Sequence, residues 1–266
     1  MLITEEKIAL ESAILQVKKI DIQASNDKPT LVFLHDALGS IAQWRDFPEL
    51  LATLCGLNCM AYDRRGYGLS NSDMMDDAEL EFRATVRSND YLHKEADILE
   101  ALLLKLDIRQ PIIFGHSDGA TIALLYAAKY NPKAIISEAA HVFVEEITHR
   151  GILETLKNAV EIKEKLKKYH KNQAETIFNA WYQTWLSNTF QVWNIENEIT
   201  QITCPVCVIQ GNNDEYGTME QINKIKNGVK GLCEINMIED CGHFPHIEKR
   251  DVVLKMVQDF ILRNYK

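Results

Sequence analysis

Hydrophobic residues along this chain follow two rhythms that take turns. Short apolar or β-branched runs, at Leu31 to His35, Asn58 to Tyr62, Ile112 to Phe114, Ala134 to Ser137, Val206 to Ile209 and Cys233 to Ile238, have the length and flanking turn residues of buried strands. Between them, Ala42 to Cys55, Tyr91 to Leu106, Asp118 to Tyr130, Met219 to Lys226 and Asp251 to Asn264 repeat their apolar positions at helical spacing. Strands alternating with helices predict an α/β fold, a mostly parallel central sheet with helices on both faces. The stretch Ala13 to Ile22 predicts one further, antiparallel strand at the sheet edge.

The rhythm breaks between His141 and Asn197, where strand signals vanish and Lys/Glu-rich and then Trp-rich helical sequence takes over. This predicts a helical cap (141–197) inserted between two parts of one core, 1–140 and 198–266. Phe178, Trp181, Tyr182 and Trp185 recur at helical spacing and give the insertion one aromatic face. That face suits packing on the core, and it equally suits the roof of an apolar pocket, with Trp181 and Trp185 as candidate lining residues. Lys157, Lys163, Lys165, Lys167, Lys168 and Lys171, interspersed with Glu161 and Glu164, read first as a solvated helix face and second as an attractor for an anionic substrate. The polar, acidic stretch Ser70 to Ser88 reads as a surface loop or short helix.

Composition narrows the class. With 266 residues, 46% hydrophobic and 25% charged, the chain has room for one large core with one insertion. A net charge of −9 argues against a general nucleic-acid partner, which needs clustered Lys and Arg. No apolar run has the length of a membrane span, and the acidic start Met1 to Glu6 lacks the basic region of a signal peptide, so a cytoplasmic protein without a membrane partner is expected. The six cysteines show neither zinc-ligand pairing nor the density of a disulfide scaffold. Cys204-Pro205-Val206-Cys207 has redox spacing, but it runs into a strand and not into a helix N-terminus that would stabilise a thiolate.

The chemistry concentrates at Gly115-His116-Ser117-Asp118-Gly119, which lies between a predicted strand and a predicted helix. A serine on such a turn is presented as a nucleophile, and the two glycines leave room where strand and helix crowd together. A serine hydroxyl is a weak nucleophile, so it needs a histidine to take its proton and a carboxylate to orient that imidazole. Asp214 follows the strand ending at Ile209 through a turn-rich segment, and His243 follows the strand ending at Ile238. Glu215 and His246 are the alternatives for these two roles. The candidate oxyanion donors are the backbone N–H groups of Asp118, at a helix N-terminus, and Ala37, in the loop after the Leu31 strand. The Asp118 carboxylate would repel a developing anion unless it points away. Asp36, Leu38 and His141 are further candidate pocket residues, and Glu138 and His141 suit either substrate contact or hydrogen bonding where the insertion begins.

Five segments in order carry a family resemblance: Leu34 to Ser40 with Trp44, Tyr62-Asp63-Arg64-Arg65-Gly66-Tyr67-Gly68-Leu69-Ser70, Gly115 to Gly119, Gly211 to Asp214, and Gly242-His243-Phe244-Pro245. Over nearly its full length the chain resembles the α/β-hydrolase superfamily. Within it, the chain is similar to a capped bacterial subgroup with Gly-His-Ser-Asp-Gly at the elbow and Asp-Glu-Tyr-Gly-Thr after the acid strand. The resemblance implies the α/β-hydrolase fold and a Ser-His-Asp hydrolase that needs no cofactor or metal. It implies a small-molecule acyl substrate, a carboxylic ester first, with thioester, lactone or carbon–carbon bond hydrolysis and haloperoxidase-like perhydrolysis on the same machinery. A non-catalytic ligand-binding protein on the same fold is the alternative of another class. One departure stands out, since similar enzymes commonly carry glycine where this chain has Asp36.

Overall fold

The computed structural model describes residues 1–25, 27–70 and 85–265. Eight strands form one sheet: β1 (Leu2–Ala9), β2 (Ile14–Asp21), β3 (Leu31–Leu34), β4 (Cys59–Tyr62), β5 (Ile112–His116), β6 (Ala134–Glu138), β7 (Val206–Gly211) and β8 (Cys233–Ile238). Their spatial order is β1-β2-β4-β3-β5-β6-β7-β8. From β4 to β8 every pairing is parallel, whereas β2 pairs antiparallel with both β4 and β1. This is the mostly parallel α/β sheet that the alternating pattern predicts.

The expected antiparallel strand is present as β2, but it is not the edge. β1 lies outside it, in register from Leu2↔Asp21 to Ala9↔Ile14. Its sequence, LITEEKIA, buries almost nothing, so it has no hydrophobic alternation to give it away. Its backbone pairing and charged surface, including the Lys19–Glu6 ion pair at 2.6 Å, define it instead.

The central strands are buried on both faces, and their alternate residues feed two different cores. Val32, Leu34 and Ile113 pack with residues of α2 (Tyr91–Lys105) and α3 (Asp118–Tyr130). Leu31, Phe33, Ile112 and Phe114 pack on the opposite face with α1 (Phe47–Cys55) and the C-terminal helix at Arg250–Asn264. The predicted helix from Ala42 to Cys55 is split into a 3-10 turn, Ile41–Trp44, and α1. Arg45 at φ 55° breaks the chain between them, and Pro48 restarts it in the first turn, where a missing N–H costs nothing.

Between β6 and β7 the chain forms α4 (Glu146–Leu156), α5 (Ala159–His170), α6 (Ala174–Trp185) and the short α7 (Glu196–Ile199). Trp185 joins the main core with Phe190 and Trp193, which stack at 5.2 Å, whereas Phe178 packs with Leu166 and Ala174 in a satellite cluster. Four of the six lysines are tied to nearby acids: Lys157 to Glu154, Lys163 to Glu175, Lys165 to Glu161 and Lys167 to Glu164. This arrangement weakens the anion-attractor reading. The remaining helices are α8 (Met219–Gly228), α9 (Pro245–Glu248) and α10 (Arg250–Asn264).

The acidic residues Asp73, Asp76, Asp77, Glu79 and Glu81 lie outside the described residues. Among the described residues, no helix is long and apolar enough to cross a membrane. All six cysteines are free thiols. Burial pushes Cys204 up to about 11 and Cys207 up to about 12, so the Cys-x-x-Cys pair stays protonated and unreactive.

Candidate active site

The turn from β5 into α3 holds Ser117 at φ 54° and ψ −119°, a conformation most side chains avoid. Packing enforces it. A Cβ on Gly115 would sit 2.2 Å from the Gly119 carbonyl oxygen, and one on Gly119 would sit 2.1 Å from the Leu34 carbonyl oxygen. Glycine at both positions lets strand, turn and helix pass this close, so Ser117 stands at the C-terminal edge of the sheet.

Two other loops deliver side chains to that edge. His243 Nε2 lies 2.9 Å from Ser117 Oγ, and His243 Nδ1 lies 2.9 Å and 3.0 Å from the two carboxylate oxygens of Asp214. With Nδ1–H donating to the carboxylate, Nε2 is the lone pair that accepts from the serine. Gln210 Nε2 donates to Asp214 Oδ2 at 2.6 Å, and the Tyr216 amide donates to Oδ1 at 2.8 Å. Burial alone would raise the Asp214 carboxyl, but the His243 charge and hydrogen bond and the Tyr216 amide outweigh it and hold the group down at about 2. All three side chains are buried. The alternatives sit elsewhere: Glu215 is exposed, and His246 Nδ1 is 2.5 Å from Glu138 Oε2 and not near the serine.

Ala37 and Asp118 both border the cavity above Ser117. Asp118 opens α3, so its amide is one of the helix's unpaired donors. Its carboxylate turns away, accepting from Tyr91 Oη at 3.1 Å and lying 3.7 Å from Arg64 Nη2. The same Nη2 donates to the Asp36 carbonyl at 2.7 Å, so one fully buried guanidinium both neutralises Asp118 and fixes the peptide carbonyl that precedes Ala37.

Asp36, the departure from glycine, also has a partner. Its Oδ1 accepts from the Leu38 amide at 2.8 Å and its Oδ2 lies 3.5 Å from His116 Nδ1. Burial would raise this carboxyl; the bond to His116 and nearby imidazole charges hold it well below the usual carboxylate range. Burial would lower His116, but the Asp36 bond and the charges of Glu138 and Asp36 push it up to about 9. His116 Nε2 then donates to the His243 backbone carbonyl at 2.8 Å, bracing the loop that carries His243. Among the described residues, His116, Glu138 and His246 form the one group with metal-ligand character, their ligand atoms within 4.8 Å of one another. In the structure His246 Nδ1 is paired with Glu138 Oε2, and the His116 ring with Asp36 and the His243 carbonyl.

The cavity above Ser117 has a volume of about 330 Å³. Leu38, Ile152, Ile162, Trp181 and Trp185 supply its apolar lining, and Asp36, Asp118, His141, Thr148, Thr155 and Tyr216 its polar lining. Glu138 is not among the lining residues, being fully buried beside His246. The sequence reading did not single out His116, Arg64, Tyr216, Thr148 or Thr155. Adjacency to Ser117 and Asp214 was the available signal for His116 and Tyr216. Nothing local distinguishes the two threonines.

A crossover sheet with a serine on the β5–α3 elbow, facing a histidine and an acid from later loops, defines the architecture of the α/β hydrolases. A family model described as the alpha/beta hydrolase fold matches residues 29–147, and the sheet and its helices have that fold. It is similar to the serine hydrolase BPHL of Mus musculus, 23% identical, with 97% of this chain and 87% of that protein covered. It is also similar to a proline iminopeptidase of Lactobacillus helveticus, 24% identical over 89% of this chain and 90% of the relative. Among solved structures, the enol-lactonase of Burkholderia xenovorans superposes with a TM-score of 0.75 at 16% identity, covering 97% of this chain and all of the other, a likeness of fold. The relatives bear hydrolase names, and the chain is a hydrolase by class.

Proposed function

We propose that this protein is a serine hydrolase that cleaves a small carboxylic ester through an acyl-enzyme. Ser117 Oγ attacks the ester carbonyl carbon as His243 Nε2 takes its proton. The Ala37 and Asp118 N–H groups receive the oxyanion, and the departing alkoxide takes the proton back from His243. Water, deprotonated by the same imidazole, then attacks the acyl-serine, and His243 returns that proton to Ser117 Oγ as the acid is released. Asp214 orients His243 and balances its charge. The reaction so written requires no cofactor.

The observation that carries this reading is the 2.9 Å contact between Ser117 Oγ and His243 Nε2, with the opposite ring nitrogen on a carboxylate held ionised at about 2. The apolar cavity directly above supports a small acyl or alkyl group as the cargo. The proposed setting is the cytoplasm.

Ser117→Ala is expected to lower kcat on a small p-nitrophenyl ester by at least roughly 10³-fold. A fluorophosphonate should label the wild type once per chain and leave the variant unlabelled. An unchanged rate in the variant removes the nucleophile assignment, and failure to turn over or to be labelled favours a ligand-binding protein. Thioesters, lactones and carbon–carbon substrates compared under the same conditions rank the reaction subclass.

A further inference from the structure

The polar groups around the cavity differ in how their protons are spent. Thr148 Oγ1 donates to the Tyr216 carbonyl at 2.6 Å, and Thr155 Oγ1 donates to the Gly151 carbonyl at 3.0 Å. A hydroxyl has one proton, so Thr155 receives the Tyr216 Oη proton across their 2.5 Å contact. The Tyr216 carbonyl also lies 3.0 Å from His141 Nε2. A carbonyl can only accept, and this fixes the His141 tautomer: Nε2 carries the proton and Nδ1 carries the lone pair.

Among the described residues, that lone pair has no hydrogen-bond partner. Both hydrogen bonds to Thr121 use the His141 backbone, and the ring packs against Trp185 at 5.1 Å and His243 at 6.1 Å between centroids. Burial and the neighbouring His243 both lower the His141 pKa, so the ring stays neutral and Nδ1 stays an acceptor. Among the described residues, no lysine or arginine lines the cavity. The pocket therefore offers an unmatched acceptor close to the catalytic imidazole and no cation.

We infer that His141 is a specificity-determining residue: its Nδ1 accepts a hydrogen bond from a hydroxyl or N–H group near the scissile carbonyl, so the preferred substrates are hydroxylated or amino-bearing esters and not anionic ones. This rests on the hydrolytic reading above. An unmatched acceptor loses its water when an all-carbon substrate fills the cavity, whereas a donor-bearing substrate replaces that water. A carboxylate in the same place meets a lone pair and no compensating charge.

The test uses the wild-type protein with ethyl butanoate, ethyl 3-hydroxybutanoate, 2-hydroxyethyl butanoate and monoethyl succinate, following acid release at constant pH. At least one hydroxylated ester is expected to exceed ethyl butanoate in kcat/KM by about tenfold, and monoethyl succinate to fall below it by at least about tenfold. His141→Phe should collapse the hydroxyl-to-alkyl ratio to about one, and His141→Asn, which restores an acceptor oxygen near the Nδ1 position, should retain part of it. Equal rates on alkyl and hydroxylated esters, a faster succinate ester, or a ratio that survives His141→Phe would each overturn the inference. Those outcomes leave ethyl butanoate turnover intact, whereas failure of the hydrolytic reading abolishes turnover of all four esters.

Discussion

Beneath and above Ser117 the molecule solves opposite problems. The layer beneath is crowded with buried charge, Asp36 with His116, Asp118 with Arg64 and Tyr91, Glu138 with His246, and each group is held by a partner distant in the chain. The wall above is apolar, spends its hydroxyl protons on backbone carbonyls and leaves an acceptor open at His141. Preorganised charge serves to orient peptides and side chains, because a buried ion that lost its partner would cost several kcal/mol. On the proposed reading, an apolar wall with one unmatched polar atom selects what enters. On this contrast, damage below should lower the rate or the stability, whereas damage above should shift KM and selectivity.

The largest effect belongs to the acid. Asp214→Asn removes the charge that fixes the His243 tautomer, and kcat is expected to drop by about 10⁴-fold with KM little changed. A loss under about tenfold would mean that Gln210 and the Tyr216 amide alone orient the ring. Next comes Arg64→Met, which strands the buried Asp118 carboxylate. Urea unfolding should show a loss of about 3 kcal/mol, and adding Asp118→Asn should recover part of it. If the double variant is no more stable than the single one, the two groups are not coupled and the layer is not a set of charge pairs.

Trp181→Ala tests the wall. Trp181 is only partly buried and lines the cavity, so its loss should raise KM for a butanoate ester by about tenfold while kcat changes by less than about threefold. A selective fall in kcat would erase the distinction between wall and floor. The smallest effect is a pH signature of the floor. His116 is raised from 6.5 to about 9 in the fold, so its charge contributes stability fully below about pH 6.5, and that contribution fades as pH rises through about 9. The wild-type Tm should therefore fall more steeply than that of His116→Asn between about pH 7 and about pH 9.5. Parallel slopes would remove the charged form of His116 from the account.

The sheet was legible wherever strands are buried on both faces, because runs such as Leu31 to Leu34 leave no other place for four consecutive apolar residues. β1 was not, since an exposed edge strand is defined by backbone pairing and its side chains carry no pattern. Ser117, His243 and Asp214 were readable because each follows a strand through turn-forming residues, so their approach is a consequence of parallel topology. Thr148, Thr155 and Tyr216 were not, because their meeting depends on how the helices between β6 and β7 settle over the sheet.

The sequence by itself determined the alternation of strand and helix, the elbow that forces a serine into the left-handed region, and the order in which the three site residues leave the sheet. These follow from local periodicity and from the steric needs of glycine, which act over a few residues. Only the tertiary structure decided that the Asp36 and Asp118 carboxylates turn toward His116 and Arg64, and that His246 answers to Glu138, 108 residues away, and not to Ser117. A buried charge is directed by whichever opposite charge the packed fold brings within reach, and separation along the chain carries no record of that distance.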